Sequence, residues 1–160
     1  MLCLWRTIAE QALPLQLLIL GVSMIRVDIK DMQKKIKVDR KFIRRVVRET
    51  LKREAKGGEV SIVLTHNEYI RQLNRKYRSV DRATDVLAFP MDEEILGDIV
   101  ISLEKAKEQA LVYRESFKNE VGRLVIHGIL HLIGYDDSSR GSLKKMHARE
   151  EEILKEILSC

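Results

Sequence analysis

Asp85-Val-Leu-Ala-Phe-Pro90 and, after a short acidic stretch, Gly97-Asp-Ile-Val-Ile-Ser102 are two apolar runs in succession with no helical period between them. Each reads as a strand. Pro90 halts the first, and Ser102 closes the second as a residue type suited to capping a helix. Upstream, strands and helices alternate. Ile25-Arg-Val-Asp-Ile29 has period two, and Glu59–Thr65 sets Val60, Ile62 and Leu64 against Ser61 and Val63. Between them Asp39 is placed to cap a helix running to about Ala55, with Phe42, Ile43, Val46, Val47 and Leu51 on one stripe and Gly57-Gly58 as its stop. Asn67 is expected to cap a second helix through about Tyr77, followed by a polar loop over 79–84. Downstream, three helices are expected: Leu103 to about Ser116, about Lys118 to Ile133, and about Ser139 to Leu158. The order β-α-β-α-β-β-α-α-α predicts an α+β fold: a single domain with a mixed sheet of about four strands and helices packed on it.

The composition agrees with one globular domain. The 160 residues are 45% hydrophobic and 33% charged, enough for a sizeable core without disulfides or a structural metal. Cys3 and Cys160 lie near opposite ends and form no CxxC pair, which argues against a zinc-thiolate site and for a reducing, cytoplasmic setting. Residues 1–23 are read separately, as a leader or extension of uncertain status. Leu13 to Ile25 is too short and too interrupted to span a membrane, and a secretory signal is the less favoured reading for want of a cationic start and a cleavage site. The working domain is expected over 24–160, beginning at Met24.

The net charge of +5 is unevenly spread. Lys30 to Lys56 holds twelve Lys or Arg against four acids, and Arg71, Arg75, Lys76, Arg78 and Arg82 form a second cluster. The sign reverses at Glu150, Glu151, Glu152 and Glu156. Such asymmetry suits a polyanionic partner on one side of the molecule.

The segment richest in chemistry is His127-Gly-Ile-Leu-His131-Leu-Ile-Gly134-Tyr-Asp136-Asp137. Two histidines four apart share one face of a helix, and Gly134 is placed to end that helix in the left-handed region. The chain then turns back and brings Asp136 or Asp137 toward the imidazoles, with the spacing favouring Asp137. A His127, His131, Asp137 set leaves one position of a tetrahedral ion open, the pattern of catalytic sites. Zinc is the expected divalent ion, with nickel or another divalent metal as the alternative. The spacing equals that of a metalloprotease motif, but Gly128 stands where those enzymes carry their glutamate base. Arg78, at a helix end before a loop, is a candidate to clamp a phosphate, and a pair with Asp81 or Asp85 is its plainer alternative. Thr84 and Asp85 are expected to fix that loop by capping bonds. His66 could face cleft or surface, His147 is expected to face solvent, and Met146 to pack in the core.

These segments, with Gly97–Ser102 between them, closely resemble the YbeY family of metal-dependent endoribonucleases over roughly Ile25 to Glu152. In that likeness His127 and His131 fall on the family's first two metal-binding histidines. Asp137 falls on the third, which is usually histidine. Arg78 falls on the functionally important arginine of a tyrosine-arginine pair. The resemblance implies a single-strand-specific, metal-dependent endoribonuclease of ribosomal RNA maturation, at the 3′ end of 16S rRNA, and of ribosome quality control. It implies RNA and ribosomal subunits or proteins as partners, with neither membrane nor DNA. Two other readings stand beside it: an RNA-binding assembly factor whose metal is structural, and an amide hydrolase, disfavoured by Gly128.

Overall fold

The computed structural model describes residues 24–160, so the expectation for 1–23 lies outside the described residues. The elements run β1 (Ile25–Asp31), α1 (Arg40–Arg53), β2 (Gly58–Thr65), α2 (Asn67–Arg78), β3 (Val86–Pro90), β4 (Ile95–Ser102), α3 (Leu103–Tyr113), α4 (Phe117–Leu132) and α5 (Arg140–Ser159). The sheet order is β1-β2-β4-β3. β1, β2 and β4 are mutually parallel, and β3 folds back antiparallel on β4, which makes the sheet mixed as expected.

Alternation along the strands divides the core in two. Ile29, Ile62, Ile99 and Ile101 face the stripe of α1 and the apolar side of α4, and Met146, Ile153 and Ile157 of α5 join the same cluster. On the other face, Val63, Leu87, Phe89 and Val100 pack with Ile70 and Leu73 of α2. The period of two thus places α1 and α4 on one side of the sheet and α2 on the other. β3 forms one margin, with its outer edge unpaired among the described residues.

Local boundaries differ from expectation for identifiable reasons. The α1 helix is capped by Asp39, whose carboxylate accepts from Phe42 N–H, but it ends before the glycines, with Ala55 at φ +52°. Gly58 instead opens β2 at φ +126°, where a Cβ would come within 2.9 Å of the Leu96 side chain and 3.0 Å of the Glu94 carbonyl. His66, not Asn67, caps α2: its Nδ1 accepts from Tyr69 N–H at 3.3 Å. Asn67 is engaged elsewhere, its side-chain oxygen accepting from Ser102 Oγ at 2.7 Å. The α3 helix stops at Tyr113 because Arg114 takes φ +56°, which frees Ser116 to cap α4 by accepting from Asn119 N–H. No helix among the described residues is long and apolar enough to cross a membrane.

Candidate metal centre and its cleft

The α4 helix is buried along most of its length, and His127 and His131 are the polar interruptions on its open side. One turn apart, their rings lie 4.7 Å centroid to centroid at 76°. The helix closes in a Schellman arrangement: Tyr135 N–H donates to Leu130 C=O at 2.9 Å and Gly134 N–H to His131 C=O at 3.2 Å, with Gly134 at φ +105°. That bend returns the chain toward the histidines. Asp137 Oδ2 lies 3.5 Å from His131 Nε2, and one donor atom from each of His127, His131 and Asp137 lies within 4.8 Å of the others. Asp136 is occupied in the turn itself, accepting from Ser138 N–H at 2.9 Å and from the Ser138 hydroxyl. Two imidazoles and a carboxylate at this separation could hold one divalent ion.

Both rings are prepared for that role. His127 Nδ1 lies 2.9 Å from Glu150, whose side chain is only 3% exposed. A carboxylate there makes Nδ1 the donor and leaves Nε2 with its lone pair toward the cleft. Glu150 is itself anchored by Arg123 at 2.9 Å, and Arg123 bridges to the buried Glu120 at 2.6 Å. His131 is held below the ordinary histidine value of 6.5, first by desolvation and then by its neighbour His127 and by Arg78; Asp137 and the Tyr135 main chain pull the other way. The neutral ring is the form that binds metal.

The reading of the sequence missed Glu150. In the sequence it stands within an acidic run, Glu150 to Glu152. Met146, Glu150, Ile153 and Ile157 are the buried residues of α5, and their spacing of four, three and four puts Glu150 on an apolar stripe, a signal that was present. His147 is exposed and Met146 is fully buried in the core, as expected.

The three donors open on a cleft of about 540 Å³. It wraps round the free margin of β3: the histidines stand on one side, Tyr77 and Arg78 at the end of α2 on the other, and Val86–Pro90 form the floor. Ser79, at φ +57°, terminates α2 and fixes that wall. Arg78 makes no salt bridge among the described residues, because its expected partners are engaged. Arg71 holds Asp81 at 2.9 Å, and Asp85 accepts from Val86 N–H at 2.8 Å, Gln109 Nε2 at 3.0 Å and Thr84 Oγ1 at 3.3 Å. The guanidinium is thus available to an anion in the cleft. Gly128, also on the cleft wall, packs where a Cβ would stand 2.6 Å from Ile99 Cγ2. A glutamate base has no room there.

The two basic clusters are separated. The α2 cluster adjoins the cleft, whereas α1 packs by β1 at the opposite margin of the sheet. There Arg53 is bound to Glu49 and Glu156, and Arg45 donates to the Ile157 carbonyl.

A family model described as Endoribonuclease YbeY matches residues 28–158. The Endoribonuclease YbeY of Carboxydothermus hydrogenoformans is 47% identical over 134 residues, covering 79% of this chain and 94% of the relative. That of Clostridioides difficile is 40% identical over 144 residues, with 81% and 94% covered. A solution structure of a Thermotoga maritima protein superposes with a TM-score of 0.62 at 30% identity, over 83% of this chain and 89% of that one. The family match spans the histidine helix, the turn after it and nearly all of the sheet, and on that ground the chain belongs to the YbeY family, whose members bear the name endoribonuclease.

Proposed function

We propose that the protein is a metal-dependent endoribonuclease that cuts single-stranded RNA during ribosomal RNA maturation, including 16S rRNA 3′-end processing, and ribosome quality control. Ribosomal subunits or proteins would be its partners in the cytoplasm. The observation that carries this reading is the convergence of His127, His131 and Asp137 on one cleft that Arg78, without a salt bridge among the described residues, also lines. The donor set of two nitrogens and one oxygen suits zinc best, and His127, His131 and Asp137 would hold it at the cleft. When bound, the ion supplies Lewis acidity for activating water and neutralising charge at phosphorus.

The chain's own groups do the rest. Glu150 holds the His127 ring in the tautomer that presents Nε2. Arg78 binds the scissile phosphate and stabilises the charge that grows on its oxygens. The exposed cations of α2 and its following loop, Arg75, Lys76 and Arg82, attract the RNA backbone without reading bases. The absence of a carboxylate at 128 removes the base that peptide hydrolysis needs, and this favours a phosphodiester over an amide substrate.

The test pairs metal analysis with cleavage of a structured ribosomal RNA fragment. Wild type, Arg78→Ala and His127→Ala are compared at matched folded concentration. We expect metal and cleavage to be lost together in His127→Ala. In Arg78→Ala metal should be retained while turnover falls by about a hundredfold or more, as for loss of one charge-stabilising donor. Equal cleavage by all three overturns the assignment.

A further inference from the structure

Tyr77 is an aromatic side chain left 58% exposed on the wall of the cleft that the histidines, Asp137, Arg78 and the β3 residues Val86–Pro90 also line. It is not loose. Its ring meets Phe89 edge to face, centroids 5.2 Å apart at 68°, and Phe89 is itself held in β3 opposite Asp98. The helix end that carries it is closed by Ser79 in the left-handed region, with Val80 N–H donating to Asn74 C=O. Lys76 Nζ lies over one face of the ring, 5.1 Å from its centroid. A rigid aromatic ring flanked by cations, one residue from the arginine facing the metal-capable donors, is what a nucleobase next to a bound phosphate requires.

The margin of β3 adds a second feature. Asp85 and Met91 mark the bonded pairs with β4, through Ser102 N–H to Asp85 C=O and Met91 N–H to Leu96 C=O. The pairing alternates, so Val86, Ala88 and Pro90 turn their main-chain groups outward along the cleft. Ala88, adjacent to the bracing Phe89, offers one donor and one acceptor there. Every base carries both kinds of group on its edge, so this contact tolerates any base.

We infer that Tyr77, braced by Phe89, is a stacking platform for the base beside the scissile phosphate, holding single-stranded RNA by the presence of a base and not by its identity. This rests on the endoribonuclease reading above.

The test uses the full-length, metal-loaded protein and a short fluorescent single-stranded RNA, together with copies carrying an abasic ribose at each position in turn. Tyr77→Ala is expected to weaken binding by roughly five- to a hundredfold, the range that stacking energies imply, with the loss in Kd and KM and not in kcat. Tyr77→Phe should restore binding. Tyr77→Leu, which keeps bulk against Phe89 without the π face, should not, and its melting temperature guards against a fold defect. At one abasic position Tyr77→Ala should add no further loss. Wild-type affinity in Tyr77→Ala, equal affinity of the Leu and Phe variants, or losses that multiply at every position would overturn the platform. RNA that binds wild type without being cut refutes the nuclease reading and leaves the binding comparison to decide on Tyr77. A wild type that binds no RNA refutes both.

Discussion

Glu150 lies 23 residues from His127 in the chain and 2.9 Å from its Nδ1 in space. The carboxylate fixes which ring nitrogen is free, so Glu150→Gln should weaken metal binding by about ten- to a hundredfold, read by competition with a chromophoric chelator. Unchanged affinity would show that the ring needs no such support. Glu150→Ala removes in addition a partner of Arg123, and should cost about 2 kcal/mol or more of folding stability in urea denaturation. For His131 the direction is set by burial. Its midpoint in an NMR titration of the metal-free protein should fall below 6.5, so the ring is neutral at pH 7 and protons compete with metal only in more acidic solution. A midpoint at or above the ordinary value contradicts the desolvated setting. That His127, His131 and Asp137 come together was legible in the sequence, because helix period and a terminating glycine are local rules. Glu150 was not, because its meaning depends on α5 packing across α4, and an acid among acids carries no local mark of burial.

At the scale of elements, the seat of the histidine helix is a contact between Gly128 and Ile99. A Cβ at 128 would stand 2.6 Å from Ile99 Cγ2 and 3.0 Å from its Cδ1. Gly128→Ala must displace a fully buried β4 side chain, and should lower stability by about 1–3 kcal/mol in denaturant melts while moving the histidines. Metal affinity should fall in the same variant. An Ala variant as stable as wild type would mean that helix and sheet are not in close contact at Gly128 and Ile99. The elements were readable from period and capping, and the α1 stripe is buried residue for residue as expected. Their ends were less so. The glycine pair predicted a helix stop, yet Gly58 serves the β2–β4 pairing, a contact between segments distant in sequence. His66 displaced Asn67 as cap because Ser102 claims the Asn67 side chain. The order β1-β2-β4-β3 was equally hidden, since alternation gives a strand its faces but not its neighbours.

For the molecule as a whole, charge placement makes a prediction that net charge does not. The α2 cations adjoin the cleft and the α1 cations lie by the opposite strand. Replacing Arg75, Lys76 and Arg82 with glutamine should weaken RNA binding and flatten its dependence on salt by up to about three phosphate contacts. Replacing Lys41, Arg44 and Arg48 should do less, measured by anisotropy across a salt series. Equal effects would require RNA to wrap the molecule well beyond the cleft. Chelation should abolish cleavage and leave the circular dichroism spectrum intact, because the core between sheet and helices is built of apolar side chains and includes none of His127, His131 or Asp137. The free margin of β3 has a consequence for association. A bare strand edge invites copies of a protein to zip together, and here the invitation is poor. Val86 spends its N–H on Asp85, Pro90 has none, and Ala88 alone can donate outward. With one outward donor per copy, two such edges could exchange only a pair of bonds, so the groove can stay open for its ligand without this margin zipping to its like.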